Sequence, residues 1–180
     1  MISYKTADTI TELQQILSLQ QQNLPKNISE EEQKEQGFLT VEHTLGVLKK
    51  MNAIQPHIIA VSNDKVVGYA LCMHKSFKKM IPVLVPMFTI IDSFLDTNVD
   101  YMVMGQICID KNYRKKGIFR GLYTKMAEEV SDKYDAIITE VDALNIRSSN
   151  AHKAVGFEEL TRYESGGQQW ELIIMNLKNQ

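Results

Sequence analysis

The stretch from Tyr101 to Val141 constrains the fold more than any other part of this 180-residue sequence. An apolar strand, Tyr101 to Ile109, leads through a basic loop into a helix from Ile118 to about Lys133, and a second apolar strand follows from Ala136 to Val141. That order predicts a βαβ unit. The helix has an apolar stripe at Ile118, Leu122, Met126 and Val130, which demands a sheet or helix to cover it. The loop ahead of it, Asp110 to Gly117, carries Arg114, Lys115 and Lys116, and Arg120 follows one turn into the helix. A helix start presents unpaired amides and a partial positive charge, so a cationic loop at such a start is built to hold phosphate oxygens. A solvated basic turn in front of an amphipathic helix is the plainer alternative.

The flanking segments supply the rest of a mixed sheet. Ser3 and Tyr4 begin a strand, and Asp8 caps a helix with Ile10, Leu13, Ile16 and Leu17 at helical spacing. After a break at Asn23-Leu24-Pro25, a capping box at Ser29 to Glu32 predicts a second helix, with a bend near Gly37 and helical structure resuming before Met51. Strands at 57–62 and 66–71 are joined through the turn residues Asn63, Asp64 and Lys65. Pro82 and Pro86 interrupt the apolar run at 74–98, read as strand or loop followed by a short helix. A helix from Ile146 to Val155, between Asn145 and Gly156, precedes strands near Phe157–Tyr163 and Gln169–Asn176 with a Gly166-Gly167 turn. No repeat or linker divides the chain, so residues 1–180 read as one α/β domain, a mixed and mostly antiparallel sheet flanked by helices.

The run Ile109-x-x-x-Tyr113-Arg114-x-Lys116-Gly117-Ile118 resembles the acetyl-CoA-binding motif of the GNAT superfamily of N-acetyltransferases, R/Q-x-x-G-x-G/A after a strand. The resemblance implies that amides from Lys115 through Lys116, Gly117, Ile118 and Phe119 to Arg120 bind the CoA pyrophosphate. It implies also that Arg114 takes the first motif position and that Ile107, Cys108 and Ile109 offer their backbone to the pantetheine arm. Phe119 departs from the family pattern, standing where Gly or Ala is usual. Its side chain must therefore point away from the phosphates.

A second run, Asn145-Ile146-Arg147-Ser148-Ser149-Asn150-Ala151-His152-Lys153-Ala154-Val155-Gly156-Phe157, resembles the later family motif N-x-x-A/S-x-x-x-Y-x-x-x-G-F. The resemblance spans residues from about 57 to 177. Asn145, Ser148, Gly156 and Phe157 fall in register, and His152 stands where the family has tyrosine. The implied role is protonation of the departing CoA sulfur, for which an imidazolium is chemically competent. Simple packing of His152 with Ser148, Ala151 and Val155 is the alternative. Asn145 is read first as a helix cap and, through the resemblance, as a CoA contact.

An attacking amine must lose a proton, and Glu140, on the second strand of the βαβ unit, is the first candidate base; a solvated or lysine-paired carboxylate is the alternative. Gln106 cannot serve as one. His43, His57 and His74 are read as structural, and Glu30, Glu31, Glu32 and Glu35 as a solvated helix start.

A net charge of −2 gives no field to gather nucleic acid or anionic membrane. No apolar run approaches a membrane span, and Cys72 and Cys108 form no metal-ligand spacing, so a cytoplasmic setting with reduced thiols is expected. No metal is required. The expected partner is a small-molecule amine, and fold habit points to a homodimer through exposed faces of the late strands. The expected activity is acetyl transfer from acetyl-CoA to a primary amine. A non-catalytic acyl-CoA-binding module and an unrelated phosphate-binding α/β domain are the rival readings.

Overall fold

The computed structural model describes residues 1–29, 31, 39 and 41–178. The expected capping box depends on Glu30 and Glu32, and the acidic Glu35 and the bend at Gly37 complete that segment; these lie outside the described residues. Seven strands run as β1 Ser3–Thr6, β2 Ile58–Ser62, β3 Lys65–His74, β4 Tyr101–Ile109, β5 Ala136–Asp142, β6 Glu158–Ser165 and β7 Gln168–Asn176. The described α-helices are α1 Ile10–Gln22, α2 Leu45–Ile54, α3 Val85–Phe94, α4 Ile118–Val130 and α5 Ile146–Lys153. The strands follow the order β1-β2-β3-β4-β5-β7-β6. The β4–β5 pair is parallel, whereas β1–β2, β2–β3, β5–β7 and β6–β7 are antiparallel. This is the mixed, mostly antiparallel sheet that the sequence predicts.

The chain forms two compact units, each assembled from two segments: Met1–Cys72 with Gly105–Met126, and Met73–Met104 with Ala127–Gln180. In the first, Asn63 and Asp64 at φ 51° and 60° make the tight left-handed turn that a two-residue hairpin needs. Helix α1 is capped by Thr9 and not by Asp8: Thr9 Oγ1 accepts from the Glu12 amide at 3.1 Å, and the Glu12 carboxylate accepts from the Thr9 amide at 3.0 Å. The helix thus begins one residue later than the sequence suggests, and Ile10 is exposed while Leu13, Ile16 and Leu19 face inward. Tyr4 of β1 lies so close to Gly121 of α4 that a Cβ there would meet its Cζ at 2.1 Å. Gly121 is therefore a packing glycine.

In the second unit the prolines sit where a helix tolerates them. Short 3₁₀ turns at Lys75–Lys79 and Pro82–Leu84 lead into α3, whose first turn contains Pro86, where the missing N–H deprives no acceptor. Ladder β5–β7 runs in register from Ala136↔Asn176 to Asp142↔Trp170, and Gly166-Gly167 at φ 61° and 77° closes the β6–β7 hairpin. Met102, Ile137, Ile138, Leu172, Ile173 and Phe157 are all buried.

Candidate active site

The basic loop of the first unit is shaped by its own backbone. The Asp110 amide donates to the Val67 carbonyl at 2.9 Å, and the Asp110 carboxylate accepts from the Asn112 amide at 2.9 Å, capping a 3₁₀ turn over Lys111–Tyr113. The chain then passes through two left-handed residues, Lys115 at φ 60° and Gly117 at φ 77°, and α4 starts at the next residue. Alternating left-handed residues turn successive amides toward one side, the geometry of an anion-binding nest. Nothing lies within 4 Å of the point where a Gly117 Cβ would sit, so the glycine answers to its backbone conformation and leaves the approach open. An exposed nest, exposed Lys115 and the positive end of a three-turn helix fit a pyrophosphate.

The side chains contribute differently from the sequence reading. Arg114 is turned back onto the protein: its Nε donates to the Ile109 carbonyl at 3.3 Å and one terminal nitrogen to Asn23 Oδ1 at 2.9 Å. Lys116 donates to the Asn112 carbonyl at 2.9 Å and lies 4.8 Å from the Tyr113 ring centroid. These two cations brace the loop, and its exposed amides and Lys115 face outward without them. Phe119 lies edge-on to Tyr123, with centroids 5.1 Å apart, which agrees with a side chain directed at its own helix. Asn23 also lines a cleft of about 360 Å³ with Gln21, Gln22, Asn27, Ile28 and Lys111.

At the end of β4, Ile107 and Ile109 are partly buried and Cys108 is buried, where desolvation pushes its thiol up to about 12 and keeps it protonated. Gln106, which the sequence reading set aside, is the centre of a buried network. Its Oε1 accepts from Tyr69 at 2.7 Å and from Gln20 Nε2 at 3.0 Å, and its Nε2 donates to the Val41 carbonyl at 2.8 Å. The network ties α1 and the segment before α2 to β4. His57 is structural as expected, accepting from the Cys72 amide at 3.1 Å and donating to the Leu48 carbonyl at 3.2 Å.

In the second unit the Glu140 carboxyl lies at the middle of β5, and burial pushes it up to about 7, against a hydrogen bond from Tyr163 that pulls it down. A carboxyl poised near neutrality is what a general base needs. It is partly exposed, and among the described residues no lysine pairs with it. Asn145 caps α5, its Oδ1 accepting from the Ser148 amide at 3.0 Å. His152 donates from Nδ1 to the Ser148 carbonyl at 2.8 Å and meets the Phe157 ring edge-on at 5.3 Å. Its burial pulls it down to about 4, so the imidazole is neutral at pH 7 and its one proton is engaged. That state counts against the expected proton donor and agrees with a packing role. Ser149, one turn earlier, donates to the buried Glu171 carboxylate at 2.6 Å, which Arg162 pairs at 2.7 Å.

Sequence reasoning missed Tyr163 and the Gln20–Gln106–Tyr69 network. The first was partly readable, because a Gly166-Gly167 turn fixes Tyr163 opposite Trp170; the β5–β7 register that carries it to Glu140 is not. The second unites residues far apart in sequence, and no local pattern marks it.

Comparison with known proteins bears on the family and the fold. The profile of the Acetyltransferase (GNAT) family matches residues 13–157. None of the curated proteins matches the sequence. Among solved structures, the ribosomal-protein-S18-alanine N-acetyltransferase from Escherichia coli superposes with a TM-score of 0.65 at 14% identity, over 98% of this chain and 94% of that one. The Salmonella typhimurium protein yncA, solved with acetyl-CoA, gives 0.69 at 13% identity over 100% and 96%. A chain of the NatC complex bound to Gag peptide and CoA gives 0.66 at 18% identity over 97% and 98%. At such identities these likenesses establish the fold, while the family profile, spanning both motif segments, establishes membership: the chain belongs to the GNAT acetyltransferase family and is an acetyl-CoA-dependent acyltransferase.

Proposed function

We propose that the protein transfers the acetyl group of acetyl-CoA to a primary amine of a small molecule by direct attack. The observation that carries this reading is the Arg114–Gly117 loop, left-handed at Lys115 and Gly117 and continuous with the start of α4. Its amides, from Lys115 to Arg120, would hold the pyrophosphate, and the backbone of Ile107, Cys108 and Ile109 would meet the pantetheine arm. Bound acetyl-CoA supplies the acetyl group as an activated thioester. The chain's own work is to fix the pyrophosphate and to manage one proton.

Glu140, as carboxylate, takes a proton from the amine nitrogen as the C–N bond forms and the C–S bond breaks. The leaving thiolate takes up one proton from solvent and Glu140 releases the one it gained to solvent, so the exchange balances and the carboxylate is restored without a donor at His152, whose engaged Nδ1 proton and neutral ring suit it to packing. Asn145 serves as the helix cap. The test is thiol release from acetyl-CoA across a panel of amines, amino acids and short peptides. The reading predicts saturable turnover with at least one small primary amine and a fall in kcat of about 100-fold or more for Glu140→Gln. Tight acetyl-CoA binding with no turnover across the panel would favour an acyl-CoA-binding module. A fully active Glu140→Gln enzyme would remove Glu140 as base.

A further inference from the structure

The β5–β7–β6 face of the second unit holds a polar contact that strand pairing alone does not require. Residues paired across antiparallel strands point to one face. Glu140 pairs with Leu172 and Leu172 with Thr161; Asp142 pairs with Trp170 and Trp170 with Tyr163. Glu140, Asp142, Thr161 and Tyr163 therefore share a face. Tyr163 reaches diagonally past Leu172 and donates its phenol to Glu140 Oε2. Among the described residues it is the one hydrogen-bond partner of that carboxyl.

The other charged groups around it are committed elsewhere. Asp142, two residues along β5, accepts from the Leu144 amide and from Gln168 Nε2, each at 2.9 Å. On β7 the same face carries Trp170 and Leu172, neither ionisable; Trp170 donates to the Ser165 carbonyl at 3.2 Å. Glu171, Arg162 and Glu159 form an ion-pair chain on the opposite face, and Ser149 of α5 reaches that chain, so α5 with Arg147, His152 and Lys153 covers the far side. On α3, which packs against β6, Asp92 is held by Lys78 at 3.1 Å.

We infer that Tyr163 is a positioning residue for Glu140: the phenol fixes Oε2 from the neighbouring hairpin and so presents Oε1 to the amine whose proton is taken. This rests on Glu140 acting as the base. Tyr163 stays protonated throughout, since burial and the adjacent carboxylate raise its own ionisation far above the usual phenol range. The proton that moves is the amine's, from nitrogen to Oε1, and the phenol remains a donor to Oε2. A donor to the charged form also favours that form, so its loss makes Glu140 a group that ionises at higher pH.

The test compares wild type, Tyr163→Phe and Glu140→Gln as full chains labelled with [δ-¹³C]glutamate. Glu140→Gln identifies the Glu140 resonance. The expected result for Tyr163→Phe is a Glu140 titration moved up by about one pH unit. With acetyl-CoA and the amine that gives thiol release in the panel, the acid limb of kcat/KM should move up by the same amount, with kcat lowered more than KM is changed. An unmoved Glu140 titration overturns the inference. A moved titration with an unmoved pH profile overturns it too, because Tyr163 would then be structural only. Failure of the base reading is seen separately, as full turnover by Glu140→Gln whatever Tyr163→Phe does.

Discussion

Acidification should destabilise this protein well above the range where carboxylates protonate, and three histidines set the size of the effect. His43, His57 and His152 are 5%, 0% and 2% exposed, and burial pulls each from 6.5 down to about 4. The unfolded chain binds protons that the folded chain refuses, so each contributes stability that is complete above about pH 6.5 and lost as pH falls toward 4. From pH 7 to pH 5 the linkage integral gives a loss of about 2 kcal/mol for each histidine. Glu140 acts in the opposite sense. Its folded pKa is raised from 4.5 to about 7, so it favours the folded state below 4.5 and that contribution fades as pH rises through 7. Over the same interval it returns about 2 kcal/mol, leaving a net loss of about 3–4 kcal/mol. Urea unfolding at pH 7, 6 and 5 measures this directly. His57→Gln should cost stability at pH 7, through its bonds to Cys72 and Leu48, yet flatten the decline to pH 5 by about 2 kcal/mol. Stability that is flat from pH 7 to 5 in wild type, or a decline of the same steepness in His57→Gln, would refute the reasoning.

Two further substitutions separate packing from chemistry. Gly121→Ala places a methyl 2.1 Å from Tyr4 Cζ, so overpacking of about 1–3 kcal/mol should outweigh the roughly 1 kcal/mol gain in helix propensity and lower Tm. In a Tyr4→Ala background the same change should raise Tm instead, and an equal drop in both backgrounds would mean the contact is not the cause. His152→Phe should keep kcat within about tenfold of wild type, since a neutral imidazole is a weak donor; a loss beyond about 100-fold would restore the acid role.

Much of the fold was legible because its signals are local. Tyr101–Ile109 and the start of α4 at Ile118 match the sequence reading to the residue, the first from apolar continuity and the second from the periodic stripe after a glycine. Gly166-Gly167 and Asn63-Asp64 announced their hairpins through residue types that tolerate positive φ. The cap of α1 was misplaced by one residue because Asp8 and Thr9 are both good caps, and only Glu12, three residues after Thr9, decides between them. In the site, backbone features were readable and side-chain commitments were not. Gly117 marked the passage from loop to helix, whereas Arg114 looked like a phosphate ligand until Asn23, 91 residues away in sequence, was seen to hold it. The protonation states of Glu140 and His152 depend on burial from several elements, which no spacing rule conveys.

The central claim is that the loop ending at Gly117 binds the pyrophosphate of acetyl-CoA. Calorimetric titration of wild type and Gly117→Val with acetyl-CoA, CoA and ATP tests it most directly. The account predicts saturable binding of acetyl-CoA and CoA, weaker binding of ATP, and at least tenfold weaker acetyl-CoA binding by folded Gly117→Val, whose φ of 77° a valine resists. Binding of acetyl-CoA no tighter than ATP, or unchanged in folded Gly117→Val, would contradict it.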